Sequence, residues 1–107
     1  MSLDNVQAID AIGVDNATGA VVLSIIDYWD WSDERPHLVA LQEKLNAYFE
    51  FVESGQVLQS YPDATGRKLC IDLIMRHPLA DAGVSLLEKA TTIAKQLDIA
   101  ITSRMHT

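Results

Sequence analysis

The chain has 107 residues, 49% of them hydrophobic and 21% charged, the make-up of one folded domain and not of a disordered chain. A formal charge of −7 argues against a nucleic-acid backbone as partner, and no apolar run reaches the length of a membrane span. The single cysteine, Cys70, excludes an internal disulfide, and the first ten residues carry acids without the basic segment of a secretory leader, so a cytoplasmic location is expected.

Val6 to Asp15 reads as a strand. Asp15-Asn16-Ala17-Thr18-Gly19 is turn chemistry, with Gly19 suited to a positive φ. Ala20 to Tyr28 is rich in β-branched residues and apolar on both faces, with Val21, Leu23 and Ile25 on one and Val22 and Ile26 on the other. Ser32 or Asp33 then caps a helix that tolerates Pro36 in its first turn and runs to about Ser54, with Gly55 as its stop. Its apolar stripe is Leu38, Leu41, Leu45, Tyr48, Phe49 and Val52; Phe51 lies off it.

Gln56 to Tyr61 is expected to be a short strand. Pro62 to Gly66 is a second turn, and Arg67 to Arg76 alternates cleanly as a strand. His77-Pro78 opens a second helix whose stripe is Leu79, Gly83, Leu86, Ala90, Ile93 and Leu97. Ile99 to Met105 resumes β character. Ala17-Thr18-Gly19 recurs as Ala64-Thr65-Gly66, which suits either a duplicated unit or ordinary turn preference.

The order β-β-α-β-β-α-β predicts a single α+β domain, ferredoxin-like or a variant, with an antiparallel sheet and two helices on one face. The Asp15–Gly19 turn and the last strand compete for one place beside Ala20–Tyr28. Short turns fix neighbours, so the hairpin is expected to win, leaving the last strand short, at an edge, or paired with another molecule. The bare sheet face would show Val22, Ile26, Cys70 and Ile74, which points to a homodimer.

Charge is uneven: residues 1–53 sum to −8 and residues 54–107 to +1. The densest constellation is Asp27, Tyr28, Trp29, Asp30, Trp31, Asp33 and Glu34, where a strand feeds a helix. Carboxylates beside aromatic faces suit a basic protein or cationic ligand; a tryptophan plugging the core and acids at a helix start are the structural alternative. Glu34-x-x-His37 has the spacing of one half of a carboxylate metal site, which raises a small hydrolase or metal-binding enzyme centred on Asp30 to His37 as an alternative. Asp72, Arg76 and His77 gather at the end of the Arg67–Arg76 strand. No phosphate loop, nucleophile elbow or paired-cysteine motif is present, so no cofactor, metal or catalytic residue is assigned.

Asp30-Trp31-Ser32-Asp33-Glu34, Glu53-Ser54-Gly55 and Tyr61-Pro62-Asp63-Ala64 resemble a family of small bacterial proteins of unknown function. The resemblance implies a bacterial cytosolic protein and brings no activity, cofactor or catalytic residue. The expected function is a non-enzymatic, self-associating protein-interaction module without membrane or nucleic-acid partners, or an immunity-type inhibitor whose acidic half masks a basic partner.

Overall fold

The computed structural model describes Leu3 and residues 5–106. The elements are β1 (Ala11–Val14), β2 (Val21–Asp27), α1 (Glu34–Glu53), α2 (Gln56–Ser60), a 3-10 turn (Pro62–Ala64), β3 (Leu69–Met75), α3 (Asp81–Gln96) and β4 (Ile99–Met105). They form a four-stranded sheet in the order β1-β2-β3-β4. β1 is antiparallel to β2, whereas β2, β3 and β4 run parallel.

The hairpin and the edge position of the last strand agree with the sequence. The antiparallel ferredoxin-like order does not, and one segment is responsible. Gln56 to Tyr61 is the short helix α2, not a strand. Gly55, at φ 82°, closes α1 and starts the next turn at once. Val57 is buried and Tyr61 half-buried at helical spacing, while Leu58 is 45% exposed. With that strand gone, a single helical crossover joins β2 to β3, and a β-α-β crossover makes its strands parallel.

The odd-numbered residues of β2 and β3 form the floor of the core. Val21, Leu23, Ile25, Ile71 and Leu73 are fully buried beneath Leu41, Leu45 and Tyr48 of α1 and Ala90 and Ala94 of α3. Both long helices thus cover one face. Phe51, off the expected stripe, is also buried in this cluster. α3 departs from its expected stripe: Gly83, Ala90 and Ala94 are its buried residues, while Ile93 is 46% exposed. Its small residues face inward, and Leu86 and Ile93 line an open groove of about 550 Å³ against Leu38 and Phe49 of α1.

The expected first strand is also shorter than Val6 to Asp15. Before Ala11 the chain is held by a side chain instead of a ladder. Lys44, fully buried on α1, donates to the carbonyls of Asn5 and Ala8 and to Asp10 Oδ1, at 2.9, 2.6 and 2.9 Å. Asp10 Oδ2 accepts the Ile26 amide at 3.0 Å. The Tyr48 hydroxyl accepts the Asp10 amide at 2.8 Å and donates to the Ser24 carbonyl. Burial pushes the Tyr48 phenol well above its ordinary range.

The opposite sheet face is uncovered and arranged in rows by the register. One row is Val22, Cys70 and Ala100; the next is Ser24, Asp72 and Thr102; the next is Ile26, Ile74 and Arg104. Asp72 accepts from Thr102 and from Arg104 Nε, each at 2.9 Å. This polar belt divides the apolar rows. Val22, Ile26, Cys70 and Ile74 are each half-buried, and none of the large, strongly exposed hydrophobic side chains lies there.

Candidate functional site at the carboxyl ends of the parallel strands

The acid-rich segment follows β2 at the carboxyl end of the sheet. Asp27, its last strand residue, points into the core side at 2% exposure. Its Oδ1 accepts the Trp29 amide at 3.1 Å, and its Oδ2 meets His37 Nε2 at 2.6 Å. His37, 1% exposed on the first turns of α1, places Nδ1 2.9 Å from the Asp30 carbonyl. A carbonyl only accepts, so Nδ1 carries the proton in that contact. The imidazole therefore clamps the end of β2 and the loop beyond it to the start of α1.

Trp31 closes the clamp. Its ring stacks on His37 with centroids 3.7 Å apart and planes 18° from parallel, and Trp29 meets the same imidazole edge-on. The far edge of Trp31 lies where a side chain on Gly83 would be: a Cβ there would sit 2.9 Å from Cη2. Trp31 thus joins the starts of α1 and α3. Its Nε1 is buried and has no hydrogen-bond partner among the described residues.

Asp30 is exposed and folds on itself. Its Oδ1 accepts the Ser32 amide at 3.0 Å and the Ser32 hydroxyl at 2.5 Å, and these bonds hold its carboxyl below the usual carboxylate range. Ser32 is therefore spent on Asp30. Asp33 is the N-cap residue of α1 but makes no side-chain cap bond. Asp33 and Glu34 remain exposed, and Tyr28 and Trp29 are half-buried. A shallow hollow is lined by Tyr28, Trp29, Asp30, Asp33, Pro36 and His37.

Beside this turn, each parallel strand contributes its next residue to one row. Tyr28 follows β2, Arg76 follows β3 and His106 follows β4. The Arg76 guanidinium lies 4.4 Å from the Tyr28 ring centre, and the His106 ring stacks on Tyr28 at 5.7 Å. The backbone keeps the row in register, with Arg76 N–H on the Asp27 carbonyl and His106 N–H on the Met75 carbonyl. The sequence grouping of Asp72, Arg76 and His77 separates here: Asp72 belongs to the middle of the open face and Arg76 to its carboxyl edge.

The predicted constellation thus has two kinds of member. Asp27 and Trp31 turn inward and hold the turn. Asp30, Asp33 and Glu34 face solvent, flanked by Tyr28 and Trp29. The Glu34-x-x-His37 pair is divided in the same way, since both His37 nitrogens meet protein oxygens. Among the described residues no group of three or more His, Cys, Asp or Glu side chains could hold a metal ion.

The family's sequence model matches residues 1–107, end to end. The chain belongs to a family of unknown function (DUF6572). No curated protein and no solved structure matches it. Among the described residues no helix is long and apolar enough to cross a membrane.

Proposed function

We propose that this member of the family is a non-enzymatic interaction module that self-associates and offers Asp30, Asp33 and Glu34, flanked by Tyr28 and Trp29, to a cationic partner. Asp27 and Trp31 take part as supports. The observation that carries this reading is the occupation of both His37 nitrogens, by the Asp30 carbonyl and the Asp27 carboxylate. A general base needs a ring nitrogen within reach of a substrate proton, and here the imidazole is spent on shaping a turn whose carboxylates stay outside. A fixed acidic surface attracts a basic partner through long-range fields, which gives fast, salt-sensitive association.

An arginine-rich peptide titrated against the protein, with tryptophan emission as the signal, tests the acidic turn. Binding is expected to weaken with added salt and to fall at least tenfold in the Asp30→Asn/Asp33→Asn/Glu34→Gln variant. Equal affinity for variant and wild type would move the partner surface elsewhere. Sedimentation equilibrium tests self-association: a mass near twice 11.8 kDa is expected at micromolar concentration, and 11.8 kDa throughout would remove that half of the reading.

A further inference from the structure

β4 is the last strand of the sheet order, and its outer edge pairs with no other described strand. Exposed edges are normally blunted by proline, bulges, shortness or charge, because their free N–H and C=O groups recruit other strands. β4 uses none of the first three. It has seven residues without proline, paired to β3 one-for-one along its length. Its one charged residue, Arg104, has an exposed side chain whose Nε is held by Asp72 of β3. Met105, at its end, is 43% exposed.

The His106 amide donates to the Met75 carbonyl. Alternation along a strand therefore turns the Ala100, Thr102 and Arg104 amides toward β3 and those of Ile99, Ile101 and Ser103 outward. We infer that β4 pairs antiparallel with β4 of a second copy about a two-fold axis at Ile101, extending the two sheets into one. This rests on the self-association reading and names its surface.

The register follows from charge and hydrogen-bond phase together. With Ile101 opposite itself, Ile99 faces Ser103 of the second copy, and these are the residues with outward-pointing amides. Asp98, the residue just before the strand, then lies at the end of the ladder beside Arg104 of the second copy. Arg104 has given only its Nε to Asp72, which leaves its terminal amino groups for a second carboxylate. A shift by one residue about Thr102 would set Arg104 against Ala100 and lose this match. Asp98 also occupies a left-handed conformation, φ 59°, where glycine is easier. An aspartate there supplies the carboxylate.

Sedimentation equilibrium and amide hydrogen exchange test the edge together. In Ser103→Pro the lost amide is one that faces outward, so the fold is expected to persist while the mass falls to that of the monomer. Asp98→Gly is expected to keep or raise the unfolding midpoint and to weaken the dimer about tenfold at low salt. Ile74→Lys, on the open face, is expected to leave the dimer intact. Without any variant, exchange at Ile99, Ile101 and Ser103 should slow as the wild-type protein dimerises, while Ala100, Thr102 and Arg104 stay protected throughout. A dimer that survives Ser103→Pro, is lost in Ile74→Lys and leaves the Ile101 amide unprotected would overturn the edge pairing while sparing self-association. A wild type that is monomeric at every concentration would overturn both.

Discussion

Asp27 Oδ2 and His37 Nε2 lie 2.6 Å apart, on side chains 2% and 1% exposed. A carboxylate beside an imidazole is half of a common catalytic arrangement, but here the second ring nitrogen meets the Asp30 carbonyl. The contact fixes the end of β2 to the start of α1.

Breaking this pair leaves the surviving partner buried without its counterpart, which costs roughly 3–5 kcal/mol. Asp27→Ala and His37→Ala should each lower stability by about that amount in urea unfolding. His37→Ala should also change tryptophan emission in the folded state, because Trp31 rests on the imidazole. Asp30→Ala removes only exposed turn bonds to Ser32 and should leave the urea midpoint close to that of wild type.

Gly83→Ala gives a second test of the same junction. In an ordinary helix interior this change stabilises by up to about 1 kcal/mol. Here the new methyl meets Trp31 Cη2 at 2.9 Å and Leu79 Cδ2 at 3.2 Å. The indole is stacked on His37 and cannot swing aside cheaply. The expected result is a loss of roughly 1–3 kcal/mol, the usual cost of overpacking. A gain in stability would mean that Trp31 does not occupy that place.

Tyr48 gives the chain an alkaline limit. Its phenol is held above its ordinary value near 10 by burial, so the folded state retains a proton that the unfolded state releases. The stability this contributes is complete below about pH 10 and falls as pH rises beyond it, by up to about 1.4 kcal/mol per pH unit. Tyr48→Phe should remove that part of the alkaline decline. At neutral pH it should cost about 1–3 kcal/mol, since the Asp10 amide and Ser24 carbonyl lose their shared partner.

The helix phases predict a graded series. Leu45→Ala, at 2% exposure, should cost roughly 2–5 kcal/mol. Ile93→Ala, at 46% exposure, should cost less than about 1 kcal/mol, and Glu50→Ala on the exposed side less than about 0.5 kcal/mol. Denaturant midpoints that moved alike for all three would contradict the packing of α1 and α3 on the sheet.

What could be read from the sequence follows the strength of each local signal. The alternation in Leu69–Met75 and the β-branched run in Val21–Asp27 placed β3 and β2, because both are buried on one face and half-covered on the other. The helix of Gln56–Ser60 is not legible in the sequence, because five residues carry too little periodicity to separate a turn of helix from a strand, and a strand there makes the expected sheet antiparallel where the observed one is mixed. The Thr18-Gly19 and Thr65-Gly66 echo is spatial as well as sequential. Both glycines have positive φ, both precede neighbouring parallel strands, and Arg67 bridges them with a bond to the Gly19 carbonyl.

At the site, the location of the acidic turn was legible and the roles of its members were not. Asp27 and His37 are ten residues apart, a separation with no meaning until β2 and α1 are packed. Lys44 did leave a trace. It lies between Leu41, Leu45 and Tyr48 on the inward side of α1, but a lysine at that phase is ordinarily read as solvated. The Tyr28, Arg76 and His106 row depends on the parallel register and was hidden by the antiparallel expectation.

The central claim is that His37 is a fastener beneath the proposed interaction surface, not a reacting group. Diethyl pyrocarbonate acylates accessible imidazole nitrogens, and peptide mass mapping of the folded protein at neutral pH reads each histidine separately. The account predicts that His106 and His77 are modified while His37 is untouched until the chain is unfolded. Modification of the folded protein at His37, at a rate comparable to His106, would contradict it and make the Asp27–His37 pair a candidate for catalysis.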